Sequence, residues 1–224
     1  MLMTAANSQK YSRSLPLLRS GVAQKDSPRA LMGAAMRFAR NAEIYGEDEP
    51  AEYLYQAISG AVRTYRMLDD GRRQICGFYL PGDIFGVEAG EVHLSSAEAL
   101  NDAEVLVVKR SSLMARAERE KDFAAQLWTL TVRELQRVQE HSLVLIKSAE
   151  ERVAGFLLEM SGRSCRDAVI ELPMSRRDIA DYLGLTIETV SRTFTQFVQS
   201  GIITLETSRR IQLRDEAVLN RLNA

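Results

Sequence analysis

Cysteine and histidine are almost missing from this chain of 224 residues: Cys76, Cys165, His93 and His141 are all it has. No Cys-x-x-Cys or Cys-x-x-x-His spacing occurs. That argues against a disulfide framework, a structural zinc site or an iron–sulfur cluster. The two histidines lie far apart in sequence, and no nucleophile and base stand out as a convergent pair. A thiol or hydrolytic enzyme is therefore not expected, and neither is a cofactor or a metal. Long apolar runs are lacking too. None approaches the ~20 residues of a membrane helix, so no membrane partner is expected. The first 19 residues lack the basic start and apolar core of a secretory signal. Residues 1–19 read as a flexible arm of a cytoplasmic protein. Excess basic charge is also missing: 29 Lys and Arg face 30 Asp and Glu, for a net charge of −1. Such a chain does not cling to nucleic acid through bulk charge. Any DNA function must rest on a local motif.

What is present divides into three textures. Residues 20–117 read as a β domain. Ala57-Ile58-Ser59 and Ala61-Val62-Arg63-Thr64-Tyr65 are short alternating runs. Asp69-Asp70-Gly71 is a hairpin signal, because glycine tolerates the positive φ that such turns need. Pro81-Gly82-Asp83 and Glu88-Ala89-Gly90 mark further turns, and Leu106-Val107-Val108 reads as a closing strand. Short strands at this spacing suggest a small antiparallel barrel or roll. Cys76 is expected in its core. Residues 20 to 40 show no clear period.

The second texture, 118–147, is one long helix. Residues 121 to 147 hold neither Gly nor Pro. Trp128, Val132, Leu135, Val138, Ser142 and Leu145 recur at steps of three and four. This is a single stripe near the coiled-coil period, along a helix of roughly 40 Å. It can lie on the roll as a core helix, or form a seam with a second copy. Length and period favour the dimer seam. Ser148 and Glu151 form a capping box, so a fresh helix starts there, with a hinge near Lys147.

The third texture, 148–224, carries the chemistry. Ser175 is placed to cap a helix, with Asp178 three residues on. Gly184 permits the turn that follows, and Thr186 can cap a second helix from Ile187 to about Gln199. Ala180 is small where two short helices would touch, and Val190 locks them together. Val190, Phe194 and Phe197 form the core stripe of the second helix. Ile187, Glu188, Ser191 and Arg192 cluster at its N-terminal end, the end with which a recognition helix meets bases. Arg192 suits guanine O6 and N7, Glu188 an exposed amino group, and Ile187 a thymine methyl. Ile202–Leu205 and Ile211–Leu213 flank a basic turn, as in a two-stranded wing. Ser175, Arg176, Arg177, Thr186, Thr189 and Arg209 are candidate phosphate contacts. Taken singly, each has a plain reading: Glu188 and Arg192 are four apart and could be a surface ion pair, and the arginines a solvated face. Together they predict a double-stranded DNA reader.

Asp178-Ile179-Ala180-Asp181-Tyr182-Leu183-Gly184-Leu185-Thr186-Ile187-Glu188-Thr189-Val190-Ser191-Arg192 resembles the helix-turn-helix of the CRP/FNR family of bacterial regulators. Gly77-Phe78-Tyr79-Leu80-Pro81-Gly82-Asp83-Ile84-Phe85-Gly86 resembles its β-roll, and Ala149-Glu150-Glu151-Arg152-Val153 the start of its linker helix. The resemblance implies an α+β chain: a cupin-like antiparallel jelly roll, a long dimerisation helix and a winged helix-turn-helix. The Glu-x-x-Ser-Arg pattern at Glu188, Ser191 and Arg192 implies a palindrome of TTGAT and ATCAA separated by four bases, bound by a homodimer. RNA polymerase is an implied partner, with Gly71, Arg72 and Arg73 a candidate surface, and activation the expected outcome. The family's oxygen sensor uses an N-terminal cysteine cluster, whereas residues 1 to 40 here hold no Cys. Its cyclic-AMP receptors hold phosphate with a Gly-Glu-Leu turn and an Arg-Ser pair. Here the turn reads Gly86-Val87-Glu88-Ala89, and the pair aligns with His93 and Leu94. The remaining match is the FixK-like branch, whose members work without a bound effector. The alternative is a regulator gated by a small molecule in the roll. Two residues are candidate regulatory sites. Ser175 is one, where added negative charge would repel DNA. Cys165, between Arg163 and Arg166, is the other, either as a redox handle or as an inert loop cysteine.

Overall fold

The computed structural model describes residues 31–164 and 169–223. The arm predicted at 1–19 and Cys165 lie outside the described residues. The chain begins with eight strands: β1 (Ala34–Phe38), β2 (Glu43–Tyr45), β3 (Tyr53–Ser59), β4 (Val62–Met67), β5 (Arg73–Tyr79), β6 (Ile84–Phe85), β7 (Ser96–Ala99) and β8 (Ala103–Lys109). They pair antiparallel in two sheets, ordered β1-β8-β3-β6 and β2-β7-β4-β5. Between the sheets pack Tyr45, Tyr55, Val62, Phe85, Ala97 and Val105 among others. The β4–β5 hairpin turns at Gly71, whose φ is 80°. The Leu68 amide donates to the Arg72 carbonyl at 2.8 Å across this turn.

One residue goes against expectation here. Cys76 is exposed, not a core residue. On β5, Ile75 pairs with Tyr65 and Gly77 with Thr64, so Cys76 is the extra residue of a β-bulge and is left exposed between two buried neighbours. The patternless stretch 20–40 also contains a strand, β1, whose five residues all pair with β8.

Three helices lead out of the roll: α1 (Arg110–Arg119), α2 (Lys121–Val144) and α3 (Ala149–Ser164). Helix α2 lies against β5 through Arg137, which donates to the Phe78 carbonyl at 2.9 Å and stands 4.3 Å from the centre of the Tyr79 ring. The break before α3 is the predicted capping box: the Ser148 amide donates to Glu151 Oε2 at 2.6 Å. Arg152 then fastens the hinge. Its Nε donates to the Lys147 carbonyl and its Nη1 to the Leu183 carbonyl, each at 2.8 Å.

The rest of the chain is β9 (Val169–Glu171), α4 (Arg176–Leu183), α5 (Ile187–Gln199), β10 (Ile203–Leu205), β11 (Arg210–Leu213) and α6 (Glu216–Asn223). The three strands pair in the order β10-β11-β9. The core of this half is continuous with the roll. One apolar cluster joins Ala61, Ile75, Phe78 and Leu100 to Phe156, Ile179 and Phe194. No helix among the described residues is long and apolar enough to cross a membrane.

Candidate nucleic-acid interface

Helices α4 and α5 start where local chemistry tells them to. Ser175 and Asp178 form a full capping box at the head of α4, an arrangement worth about 1 kcal/mol. Gly184 ends α4 in the left-handed conformation, with φ 63° and ψ 38°. An L side chain is disfavoured there. Thr186 caps α5 by accepting from the Thr189 amide at 3.1 Å. Its hydroxyl also lies 3.0 Å from the Thr189 hydroxyl. Ala180 of α4 and Val190 of α5 are buried in one shared cluster, and Phe194 and Phe197 carry α5 into the same core.

That burial turns the opposite face of α5 to solvent. Ile187, Glu188, Ser191 and Arg192 are all exposed. Glu188 and Arg192 make no ion pair with each other or with any other of the described residues. The plain surface-pair reading is therefore not what the chain adopts. Four different functional groups, an apolar branch, a carboxylate, a hydroxyl and a guanidinium, stand free at one helix end. This is the equipment needed to read base edges in a major groove.

The other candidates fall into two groups. Arg177 is exposed and Arg209 half-buried at the wing. Ser175 and Thr186 sit at helix N-termini, where orphan backbone amides favour an anion. Arg176 is different. Its guanidinium carbon lies over the Phe194 ring, 3.3 Å from the ring centre. Burial pushes its pKa down to about 10. It ties α4 to α5 as a packing residue. The wing is the β10–β11 hairpin, with Glu206, Thr207 and Ser208 exposed at its tip. Arg210 is paired with Glu206 at 2.8 Å.

On the roll, Gly71 and Arg72 are exposed at the hairpin tip, with Arg72 bonded to Asp70. Arg73 departs from the proposed polymerase surface. Its guanidinium turns toward α4 and binds Asp178 and Asp181 at 2.7 and 2.8 Å. Of the three residues named for that surface, Gly71 and Arg72 remain open.

The roll interior bears on what could be bound there. His93 is fully buried and stacks on Tyr45, with ring centres 3.7 Å apart. Tyr55 and Phe85 stack beside them. A Cβ added to Gly86 would lie 2.7 Å from the Tyr55 ring. Burial lowers the His93 pKa, so the imidazole brings no charge to an anion at neutral pH. Leu94, the second member of the aligned pair, is exposed. Arg110 is close by, but it is engaged by the carbonyls of Ala51, Glu88 and Gly90.

The stripe on α2 stays open along the single chain. Trp128 is 71% exposed, Leu135 56% and Val138 52%. Ser142 and Leu145 are exposed as well, and Val132 is half-buried.

Comparison with known proteins agrees with both halves of this fold. Residues 151–222 match the Crp-like helix-turn-helix domain, and residues 35–120 the cyclic nucleotide-binding domain. The nitrogen fixation regulation protein FixK of Azorhizobium caulinodans is 47% identical, over 96% of this chain and 94% of its own. The protein of the same name from Rhizobium meliloti is 37% identical, over 97% and 98%. The solved structure of FixK2 from Bradyrhizobium japonicum superposes with a TM-score of 0.83 at 50% identity, covering 87% of this chain and 98% of that one.

Proposed function

Because this chain belongs to the CRP/FNR family and is a transcription regulator of the FixK/FNR type with a helix-turn-helix DNA-binding domain, we propose that it binds a TTGAT–four bases–ATCAA palindrome as a homodimer, without an effector, and activates transcription. The observation that carries this is the reading face of α5. Ile187, Glu188, Ser191 and Arg192 are exposed together, while Val190, Phe194 and Phe197 of the same helix are buried. In a symmetric dimer the two faces enter successive major grooves about 34 Å apart. The packed rings of Tyr45, Tyr55, Phe85 and His93 favour the effector-free form over a ligand in the roll. Such a ligand would have to displace stacked aromatic side chains, and the nearby Arg110 is already engaged by backbone carbonyls.

The test is fluorescence anisotropy with that duplex and a scrambled control at physiological salt, with nothing added. Sequence-dependent binding is expected. Equal binding to both duplexes sinks the proposed target. Arg192→Ala should cost roughly 1–3 kcal/mol and relax the preference at one base pair. A uniform loss on every sequence would instead make Arg192 a phosphate contact.

Ser175 is the proposed regulatory position. Its hydroxyl donates to Asp178 Oδ2 at 2.7 Å and accepts from the Asp178 amide at 3.1 Å. A negative group there would face the Asp178 carboxylate and the DNA phosphates at once. Ser175→Asp should lower duplex affinity with a lesser effect on thermal stability. Unchanged anisotropy titrations would dismiss it.

A further inference from the structure

We infer that Arg63 and Arg73 of the roll are positioning residues for DNA reading: through Asp178 and Asp181 they set the orientation of α4, and with it that of α5. This goes beyond the proposed target. It gives the roll a role in a regulator that needs no ligand.

The geometry centres on one carboxylate. Asp178 is the acidic partner in the capping box of α4, a job normally done at the protein surface. Here its side chain is only 6% exposed. One oxygen serves the helix: Oδ2 accepts from the Ser175 amide at 2.9 Å and hydroxyl at 2.7 Å. The other serves the roll: Oδ1 accepts from Arg63 Nη1 and from Arg73 Nη2, each at 2.7 Å. Burial works to raise the Asp178 pKa, but the Ser175 bonds and the two arginine charges hold it below the usual carboxylate range. The charge on which the network depends is therefore present at neutral pH.

Each arginine is itself braced. Arg63 Nη2 binds Glu98 at 2.9 Å, across the ladder from β4 to β7. Arg73 reaches Asp181, one turn further along α4, through Nε at 2.9 Å and Nη2 at 2.8 Å. Two points on α4 are thus pinned to two neighbouring strands. Apolar contacts tolerate sliding. A buried, hydrogen-bonded ion pair does not, because half-breaking it strands a charge away from water. Charge-assisted bonds also impose direction. Since α4 and α5 share one buried cluster that includes Ala180 and Val190, and Arg176 of α4 packs on Phe194 of α5, a helix α4 held at two points leaves α5 little freedom to tilt. The side chains on which this rests lie 105 to 115 residues apart in sequence.

The experiment uses the full chain with Arg73→Met, Asp181→Asn, both together, and Arg73→Lys. Affinity for the palindromic and scrambled duplexes is measured beside the melting temperature and the amide exchange of residues 176–183. Arg73→Met should weaken palindrome binding by roughly tenfold, within the range that mutations along coupled networks produce. Scrambled-duplex binding should hold steady, since loose electrostatic contact does not need an aligned helix. The double variant should be no worse than the poorer single one, as for partners in one network. Arg73→Lys should recover part of the loss, and exchange over 176–183 should quicken in the absence of DNA. A lower melting temperature with unchanged palindrome affinity would make the network merely structural and overturn the inference. A gain in affinity, or additive losses, would overturn it as well. Exchange is read without DNA, so the outcomes stay separable. A wild-type chain that ignores this palindrome refutes the target alone, and unaltered exchange in Arg73→Met refutes the network.

Discussion

A chain carrying Leu135→Asp and Val138→Asp is expected to sediment as a monomer and to lose about two to four orders of magnitude in affinity for a palindromic duplex. Both side chains are more than half exposed in the single chain, so their replacement removes little from its own core. Their exposure is the reason for the prediction. Burying apolar surface is worth about 25 cal/mol per Å², and α2 leaves a continuous row of it in water. A second copy of the same row is the self-complementary cover that two-fold symmetry supplies. Four carboxylates facing one another across that seam would repel strongly in a poorly hydrated setting. Loss of the dimer turns one two-handed binding event into independent half-site contacts. Gln126→Asp adds one carboxylate at an exposed position on the far side of the helix, and should leave both assembly and binding intact. If the doubly substituted chain still sediments as a dimer, the seam lies elsewhere.

The helix-turn-helix was legible in the sequence because its determinants are local. Ser175, Asp178, Gly184 and Thr186 each act within three or four residues of their own position. The structure repeats that chemistry in the two caps and the left-handed Gly184. The α2 stripe was legible for the same reason, since a helical period belongs to one segment. Strand β1 was not, because nothing within Ala34–Phe38 alternates. It exists through its partner β8, some seventy residues later. Cys76 was misplaced by a residue-type habit. Cysteine is usually buried, but Cys76 is the extra residue of a β-bulge between Ile75 and Gly77 and is exposed. The two ends of the Arg63–Asp178 bond are far apart in sequence, and no spacing rule connects them. Arg73 therefore reads as a free tip residue until the fold brings α4 beside it. Arg176 likewise looks solvated until Phe194 is placed under it.

Phe156→Ala is expected to remove about 3–5 kcal/mol of stability and to split one unfolding transition into two. Phe156 is 2% exposed on α3. It meets Phe78 of the roll at 6.3 Å and Tyr182 of α4 at 6.0 Å, both edge to face. Each such ring pair adds about 0.5–1.5 kcal/mol beyond the area buried. The ring therefore stands between the two halves and belongs to the core of both. In the wild type, unfolding the DNA-reading half would strip the cover from Phe78 and Ile75, so the halves should melt together. Truncation leaves a void at the junction and weakens that coupling without cutting either half's private core. Leu219→Ala, buried on α6, is the comparison, since it also opens a cavity but away from the roll. It should lower the single transition without dividing it. Calorimetry on the two variants separates the cases. Two transitions in the wild type would mean that the shared cluster does not couple the halves. One transition in Phe156→Ala would leave the burden of coupling on the Arg63–Asp178–Arg73 bonds, which hold the same two elements together through charge.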